Sequence, residues 1–386
     1  MRLNLANTII KKIKSLEPKT LHQPVFFGNE VKYLKQCIKT GFVSSVGNFV
    51  NVFERKIKKV TGSKYVVAVI NGTYALELII RCLKINKNEE VFLPSLTFIA
   101  TANAIKHTGA IPHFVDVEEN NLGICPQKLE NYIKKSLIKK NGKLFNPKTK
   151  RYISALVAVH LYGFSCQILN LKKICKKYNL ILIEDAAESI GSKYRKKHLG
   201  TFSKAGILSF NGNKTITCGN GGVILTSDKS LAEKAKHLST TAKKKHKFEY
   251  LHDDFGFNLR LSNVNAAIGC AQLEKLKKII KMKRRNFRLY KNLFKDNREK
   301  IEILQEPKNC ISNYWLICLK LKNNSNIKNS LLNKMQKNKI FSRAIWKPLH
   351  TLDIYKKFPR ANLNTTNKLY NTIINLPSSP ILNIKK

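Results

Sequence analysis

The 386-residue sequence predicts an α/β protein whose large, mostly parallel sheet is covered by helices on both faces. Three observations favour this fold class. Continuous apolar runs, such as residues 65–70 and 180–183, are typical of strands that are buried on both faces. Amphipathic stretches at residues 73–82 and 169–177 alternate with these runs and predict helices. After Asn265 the alternation stops, which indicates a second and different structural unit.

The remaining predicted elements complete two units. Further strands of the large unit are predicted at residues 90–93, 111–117, 153–160, 205–210 and 222–226, with another helix at 97–106. A long helix at 266–294 leads to a strand at 313–321, and the Lys-rich stretches 139–150 and 243–247 predict surface loops. We therefore expect residues 1–265 to form an N-terminal arm and the large α/β domain. Residues 266–386 are expected to form the connecting helix and a small C-terminal α+β domain.

The chain is strongly basic, with 71 Lys and Arg residues against 24 Asp and Glu residues and a net charge of +47. Basic side chains displace counterions from phosphates, so a nucleic-acid-binding protein is an alternative. The basic residues are spread along the whole chain, however, and no RNP, zinc-finger or basic-heptad motif accompanies them. A solvated basic surface is the favoured interpretation, and no nucleic-acid partner is expected.

The apolar segments and the cysteines predict a soluble cytoplasmic protein. No apolar run approaches the roughly 20 residues of a membrane-spanning helix, and the N-terminal segment lacks the pattern of a signal peptide. The nine cysteines are odd in number and scattered, with no C-x-x-C motif. This usage argues against a disulfide framework and a structural zinc site. We expect no membrane partner and no metal.

Unusual residues follow four of the predicted strands, at the positions where sheets of this type bind ligands. After the first strand, Asn71-Gly72-Thr73 can bring the backbone and a helix N-terminus close to an anion. A plain helix cap is the commoner explanation for such a segment taken alone. Phe98 follows the second strand and could lie flat on a planar ligand ring, although a single Phe more often packs in a core.

The third and fourth segments add charged groups. The apolar run 181–183 leads directly into Glu184-Asp185, and a carboxylate there requires a cationic partner from the protein or from a ligand. Ser209 ends another strand and is followed by a loop with Lys214, a residue type that forms Schiff bases with aldehydes. Pyridoxal phosphate requires such a lysine, an acid against its ring nitrogen, an anion-binding surface and a ring contact. The four segments together predict a pyridoxal-phosphate site.

Eight stretches, spread over about residues 25–380, match a known family: NGTYALELI, PSLTFIATANAI, IPHFVDV, HLYG, IEDAAESIGS, SFNGNKTITCGNGG, GFNLRLSNVNAAIGCAQLE and WKPLH. On these motifs the sequence resembles the DegT/DnrJ/EryC1/StrS sugar aminotransferases, which are pyridoxal-phosphate enzymes of fold type I. The resemblance implies that Lys214 is the Schiff-base lysine and that Asp185 keeps the pyridine nitrogen protonated. These two residues are the expected catalytic groups.

The resemblance also implies roles for the other matching positions. Glu188 would approach the hydroxyl of the cofactor ring and Phe98 would stack on the ring. The cofactor phosphate would be bound by Gly72, Thr73 and Ser209. Asn258 would reach this phosphate from a neighbouring subunit, which implies a homodimer with shared active sites. Trp346 and His350 would lie near the sugar-nucleotide pocket.

Among the subgroups of the family, SFNGNK and residues 252–258 most resemble enzymes acting on UDP-linked 4-keto-6-deoxy-N-acetylhexosamines. The resemblance implies L-glutamate as amino donor and a role in surface-glycan biosynthesis. The alternative is a GDP-perosamine-type or 3-keto sugar aminotransferase. Lys214 disfavours a sugar dehydratase, because dehydrating relatives carry His there. A nicotinamide-dependent oxidoreductase would need G-x-G-x-x-G after the first strand, and Asn71-Gly72-Thr73-Tyr74 does not supply it.

Overall fold

The computed structural model describes residues 2–322 and 325–384. Its largest element is a sheet with the central strand order Tyr65–Val69, Gly222–Thr226, Ala205–Ser209, Ile181–Asp185, Arg151–Val159, Glu90–Pro94 and Ile111–Val115. Gly222–Thr226 is antiparallel to both of its neighbours, and the other pairs are parallel. The segment between Ser209 and Gly222 contains no helix, so the chain returns antiparallel instead of crossing over. The predicted fold class is confirmed.

Helices cover both faces of this sheet because alternate residues of each strand enter opposite apolar clusters. On the strand Glu90–Pro94, Phe92 faces one cluster, while Val91 and Leu93 face the other. Such two-sided burial explains why the strands are continuously apolar in sequence. The helices of this unit are Glu30–Lys39, Asn48–Thr61, Gly72–Cys82, Ile99–His107, Pro126–Ser136, Ile168–Lys177, Lys229–Ser239 and the long Asn263–Leu293.

A smaller antiparallel sheet forms the second unit, with the strand order Ile301–Ile303, Ile317–Leu321, Ile373–Leu376 and Arg343–Ala344. The helices Lys328–Lys337 and Asn364–Thr372 accompany it. Two minor antiparallel sheets lie outside the main ones. In the first, Leu16–Glu17 pairs with Asn383–Ile384. In the second, Lys193–Tyr194 lies between Lys197–His198 and Cys310–Ile311.

The N-terminal helix Arg2–Lys14 packs against the small sheet. Its apolar residues Leu5, Ile9 and Ile13 belong to the same buried cluster as Leu319 of that sheet. This contact joins the two ends of the chain. The division of the chain at residue 265 stays a prediction.

Most predicted boundaries are shifted by one or two residues, and three elements differ by more than that or in type. The strand predicted at 313–321 begins only at Ile317, because the preceding residues hydrogen-bond to loops of the large sheet. The loop predicted at 139–150 contains the hairpin Ile138–Lys140 and Lys143–Asn146, which extends the sheet at the start of Arg151–Val159. The long helix begins at Asn263, where the Ser262 side chain caps it by accepting from the Asn265 N–H.

Side chains from one face of the long helix hold the C-terminal segment in place. Lys283 Nζ donates to the carbonyl of Ser378 at 2.7 Å, and Asn286 Nδ2 donates to that of Ser379 at 2.7 Å. The Tyr290 hydroxyl donates to the carbonyl of Pro377 at 2.9 Å. Because these donors are buried, their loss would leave unpaired polar groups. The helix thereby fixes the small sheet relative to the large one.

Among residues 2–322 and 325–384, no helix has the length and apolar character needed to cross a bilayer. The cytoplasmic location stays a prediction.

Candidate active site

A cavity of about 300 Å³ opens at the carboxyl ends of the central strands. Parallel strands end at the same edge of a sheet, so the loops that follow them converge although they are distant in sequence. The predicted site residues that line this cavity are Gly72, Thr73, Phe98, Asp185, Glu188, Ser209, Lys214 and Trp346.

Asp185 places a carboxylate on the cavity wall at the end of the strand Ile181–Asp185, where it is 8% exposed. Thr101 Oγ1 donates to Asp185 Oδ2 at 2.7 Å, and the Ala187 backbone N–H donates to Oδ1 at 3.1 Å. The ion pairs found within residues 2–322 and 325–384 do not include Asp185. A buried carboxylate with neutral donors alone is suited to a cationic group on a ligand.

The side chains of Lys214 and Glu188 lie next to each other in the cavity, with Lys214 Nζ 3.5 Å from Glu188 Oε1. The two side chains are 12% and 7% exposed. The backbone N–H of Tyr162 donates to Glu188 Oε2 at 2.7 Å. Burial raises the pKa of Glu188 to about 7, and the neighbouring Lys214 offsets part of this effect. The carboxyl group therefore changes its charge near neutral pH, directly beside the amine.

The helix Gly72–Cys82 begins at the cavity, and the Asn71 side chain caps it by accepting from the Tyr74 N–H at 2.9 Å. A Cβ on Gly72 would lie 2.9 Å from the Cβ of Ser209, so the two loops approach as closely as glycine permits. The N–H groups of the first helical turn and the Ser209 hydroxyl border the same space. The segment is therefore both a helix cap and a surface suited to an anion.

A second buried acid, Glu184, supports the floor of the site. It accepts from His160 Nε2 at 2.9 Å and from the backbone N–H groups of Gly200 and Phe202 at 2.8 and 2.6 Å. The Cys166 N–H donates to His160 Nδ1 at 3.4 Å, so Nε2 bears the proton that faces Glu184. Burial raises the pKa of Glu184, but these donors outweigh burial and hold the pKa below its ordinary value. This network ties the end of the strand Arg151–Val159 and the segment that leads into Ala205–Ser209 to the residue next to Asp185.

Aromatic rings form another wall of the cavity. The ring centroids of Phe98 and Trp346 are 5.1 Å apart, and those of Trp315 and Trp346 are 6.5 Å apart with an interplanar angle of 27°. Phe98 is about half exposed, so one face is open to a planar ligand. Trp346 Nε1 is buried and has no hydrogen-bond partner among the described residues. Its N–H can donate to a ligand in the cavity.

Two predicted site residues lie outside this cavity. Asn258 is on the surface and accepts from Arg260 Nε at 3.0 Å. His350 Nδ1 lies 2.8 Å from the hydroxyl of Ser95, beyond the end of the strand Glu90–Pro94. The role of Asn258 in a neighbouring subunit and the role of His350 in substrate binding stay predictions.

Sequence reasoning missed three residues that the fold brings to the site, namely Thr101, Asn313 and Trp315. Thr97 and Thr101 are one helical turn apart beside a strand end, and their hydroxyl oxygens are 3.2 Å from each other. This spacing was a usable signal. Trp315 is one of two tryptophans in the chain, but no local pattern indicates that its loop returns to the large sheet.

The geometry can be compared with known proteins. The sequence profile of the DegT/DnrJ/EryC1/StrS aminotransferase family matches residues 27–386. The chain belongs to this family. It is a pyridoxal-phosphate-dependent aminotransferase that acts on nucleotide sugars.

Several curated relatives match most of this chain. GDP-perosamine synthase of Escherichia coli O157:H7 is 36% identical over 366 residues, which cover 94% of this chain and 93% of the relative. GDP-perosamine synthase of Vibrio cholerae is 34% identical over 362 residues, or 93% and 94% of the two chains. The putative pyridoxal phosphate-dependent aminotransferase EpsN of Bacillus subtilis is 36% identical over 335 residues, or 87% and 83%.

Solved structures of family members share the fold. Helicobacter pylori PseC, an aminotransferase of pseudoaminic acid biosynthesis, superposes with a TM-score of 0.86 at 25% identity and covers 95% of both chains. A family aminotransferase from Brucella abortus superposes with a TM-score of 0.81 at 28% identity and covers 92% of this chain and 91% of its own. The predicted aminotransferase fold type I is confirmed.

The cavity fits the cofactor of the DegT/DnrJ/EryC1/StrS family. Asp185 offers a buried carboxylate without a cationic partner among the described side chains, as a protonated pyridine nitrogen requires. Gly72 lets the loop of Ser209 approach the helix N-terminus closely, so the Ser209 hydroxyl and the first-turn N–H groups border the same space, as a phosphate requires. Lys214 presents a buried amine to the same space.

The raised pKa of Glu188 predicts a pH-dependent stability difference. Between about pH 4.5 and 7 the unfolded chain loses the Glu188 proton while the folded cofactor-free protein keeps it, so this group destabilises the fold as the pH rises. Glu188→Gln should therefore gain stability relative to the wild type across this range. Urea unfolding midpoints of the two cofactor-free proteins at several pH values measure the difference.

The matched control for that experiment is Glu119→Gln. Lys320 and Lys368 lower the pKa of Glu119 to about 2, so its removal should change stability in the opposite direction above pH 4.5. Because Glu119 is about one third exposed, solvent reduces the size of this effect. A pH-independent difference between Glu188→Gln and the wild type would contradict the proposed titration of Glu188.

Proposed function

We propose that this enzyme transfers an amino group from L-glutamate to the C4 ketone of a GDP-linked 6-deoxyhexose, as a step in surface-glycan biosynthesis. Perosamine is a 4-amino-4,6-dideoxyhexose, so its formation by transamination requires a 4-keto-6-deoxy precursor. The full-length similarity to two GDP-perosamine synthases supports this substrate. The UDP-linked N-acetylhexosamine suggested by the SFNGNK resemblance has weaker support, because the full-length relatives at 36% and 34% identity whose names specify a sugar nucleotide are GDP-perosamine synthases.

The convergence of Lys214 and Asp185 in one cavity is the observation that supports the chemistry. Bound pyridoxal phosphate supplies an electron sink for the negative charge that develops at the carbon losing its proton. Lys214 holds the cofactor covalently between turnovers and, once released, moves a proton with its Nζ atom. Asp185 accepts a hydrogen bond from the pyridine nitrogen and keeps that nitrogen protonated. Thr101 and Ala187 orient Asp185 for this contact.

The other cavity residues bind and orient the ligands. The first turn of the helix at Gly72 and the hydroxyls of Thr73 and Ser209 bind the phosphate. The exposed face of Phe98 contacts the cofactor ring. Glu188 contacts the ring hydroxyl, and the buried N–H of Trp346 donates to the sugar nucleotide.

The proposed enzyme is a homodimer with shared sites. Aromatic side chains next to Asn258 are almost fully exposed in the single chain, with Phe248 and Tyr250 at 80% and Phe255 at 96%. Exposed apolar side chains in this concentration are typical of an interface. A second exposed apolar group occurs in the segment 26–46, including Ile38 at 71%. A second copy that covered both regions would place the segment of Asn258 at the interface.

Replacing Lys214 tests the central chemical assignment. Lys214→Ala should keep noncovalent affinity for pyridoxal phosphate but lose transamination by a factor of roughly 10²–10⁴ or more, because no group remains to move the proton. Borohydride reduction followed by peptide mapping should find the cofactor on Lys214 of the wild type. Lys204→Ala, which removes an exposed lysine ion-paired with Asp228, is the control and should retain activity. Normal turnover by Lys214→Ala would refute the assignment.

A substrate panel tests the sugar nucleotide. With glutamate as donor, the enzyme should aminate a GDP-linked 4-keto-6-deoxyhexose with a kcat/KM at least about tenfold above that for a UDP-linked 4-keto-6-deoxy-N-acetylhexosamine. Product NMR identifies the aminated carbon and separates C4 from C3 transfer. A preference for the UDP-linked sugar would overturn the proposed substrate and leave the aminotransferase assignment unchanged.

Mixed dimers test the shared site. Lys214→Ala and Asn258→Ala chains should each give a poorly active homodimer, whereas co-expressed chains should regain activity in one site of each mixed dimer. That site contains Lys214 from one chain and Asn258 from the other. Activity of the differently tagged, co-purified mixed dimer measures the recovery. An Asn258→Ala homodimer of normal activity, or a mixed dimer without recovery, would contradict this arrangement.

A further inference from the structure

The ring of Trp315 lies against the free amine of Lys214. Lys214 Nζ is 4.0 Å from the ring centroid, over the face of the ring. Trp315 lines the cavity and is 1% exposed. The face of an indole ring attracts a protonated amine electrostatically, and the attraction is stronger where water is excluded. The amine therefore lies between this ring and the Glu188 carboxyl.

Two hydrogen bonds fix Trp315 in this position. Its indole Nε1–H donates to the backbone carbonyl of Asn213 at 2.7 Å, and its backbone N–H donates to Asn313 Oδ1 at 3.0 Å. Asn213 directly precedes Lys214 in the chain. The first bond thus ties the ring to the backbone of the lysine that it contacts.

Asn313 connects the ring to the loop of Glu188. Its Nδ2 lies 2.9 Å from the carbonyl oxygen of Glu188, 3.0 Å from that of Ile190 and 3.2 Å from Thr215 Oγ1. Asn313 is fully buried, so these contacts take the place of the hydrogen bonds that its side chain would make to water in the unfolded chain. One side chain therefore positions the two loops that hold Glu188 and Lys214.

Other rings prevent Trp315 from turning away. The centroid of Tyr162 is 5.9 Å from that of Trp315, and the centroids of His22 and Trp346 are each 6.5 Å away. A buried ring packed on several sides keeps one rotamer. By contrast, the side chain of Lys214 has four rotatable bonds and needs contacts to hold its amine in one place.

Glu188 alone is an incomplete partner for this amine. Burial raises the pKa of Glu188 to about 7, so a large fraction of the carboxyl is neutral at neutral pH. The indole face attracts the protonated amine at any pH, because its charge distribution does not titrate.

We propose that Trp315 is a positioning residue that holds the amine of Lys214 whenever this lysine is not bonded to the cofactor. The ring keeps Nζ beside Glu188 and within the cavity during the steps in which the lysine moves a proton. Asn313 and the carbonyl of Asn213 set the position of the ring. The inference rests on the proposed role of Lys214.

Chemical labelling of Lys214 tests this inference. The full-length enzyme is first incubated with excess glutamate, which leaves the amino group on the cofactor and the lysine free. Brief acetylation with acetic anhydride and peptide mass spectrometry then give the labelling rate of Lys214 relative to exposed Lys229. Trp315→Leu should speed the labelling of Lys214 roughly tenfold, the equivalent of about 1.4 kcal/mol of lost ring contact. Trp315→Phe keeps an aromatic face and should change the rate less than about threefold.

A matched control distinguishes positioning from general loosening. Tyr314→Phe removes a buried hydroxyl that accepts from the Glu306 N–H, one residue away from Trp315, and should leave the labelling rate unchanged. Trp315→Leu should also lower kcat while the KM for glutamate stays near the wild-type value. Should the leucine variant fail to fold, as judged by circular dichroism, Trp315→Met replaces it.

The possible outcomes are distinct. Equal labelling rates of Lys214 in Trp315→Leu and the wild type would overturn the inference. Equal acceleration of labelling by Trp315→Leu and Trp315→Phe would also overturn it, because the size of the side chain and not its aromatic face would then set the rate. A wild-type enzyme without a borohydride-stable adduct at Lys214 would refute the proposed function instead. An adduct together with unchanged labelling would refute only the role of Trp315.

Discussion

The site depends on a carboxylate that is buried without a cationic side chain. Asp185 ends an apolar strand, and among residues 2–322 and 325–384 the donors to its oxygens are the Thr101 hydroxyl and the Ala187 N–H. Removing an ionised carboxylate from water destabilises a fold unless a counter-charge compensates. In the function that we propose, the protonated ring nitrogen of the cofactor supplies this counter-charge, and binding of pyridoxal phosphate would complete the electrostatic arrangement around Asp185. The hydrogen bonds from Thr101 and Ala187 fix the position of this carboxylate.

The strand order explains how distant residues reach this carboxylate. Gly72, Thr101, Asp185 and Ser209 follow or end different strands, and all of these strands point to the same edge of the sheet. The antiparallel strand that begins at Gly222 also lies close to the turn at Asn71. A Cβ on Gly222 would lie 2.3 Å from the backbone carbon of Asn71, so the turn that is proposed to bind the phosphate packs directly on this strand. Small residues at these positions allow the loops to share one cavity.

The small sheet completes the site with aromatic groups. Trp315 and Asn313 precede its strand Ile317–Leu321 and hydrogen-bond to loops of the large sheet. The buried bonds from Lys283 and Tyr290 to the C-terminal segment hold this sheet against the long helix. A change in the relative placement of the two sheets would move the ring on Lys214. The geometry of the lysine therefore depends on both units of the chain.

The sequence alone determined the fold class, the cofactor and the enzyme class, because apolar strands and the residues directly after them are local features. The four segments at strand ends indicated the cofactor, and the resemblance of eight motifs to a known family implied the enzyme class. The sequence could not place Thr101, Asn313 or Trp315, since each acts through a contact across 84 or more residues, as in the bond from Thr101 to Asp185. Nor did it indicate the antiparallel strand or the hairpin at 138–146, whose pairing depends on neighbours in space. Motifs of consecutive residues can be recognised in the sequence itself. Hydrogen bonds between loops and the raised pKa of Glu188 arise only in the folded chain, because folding brings these groups together and excludes water from them.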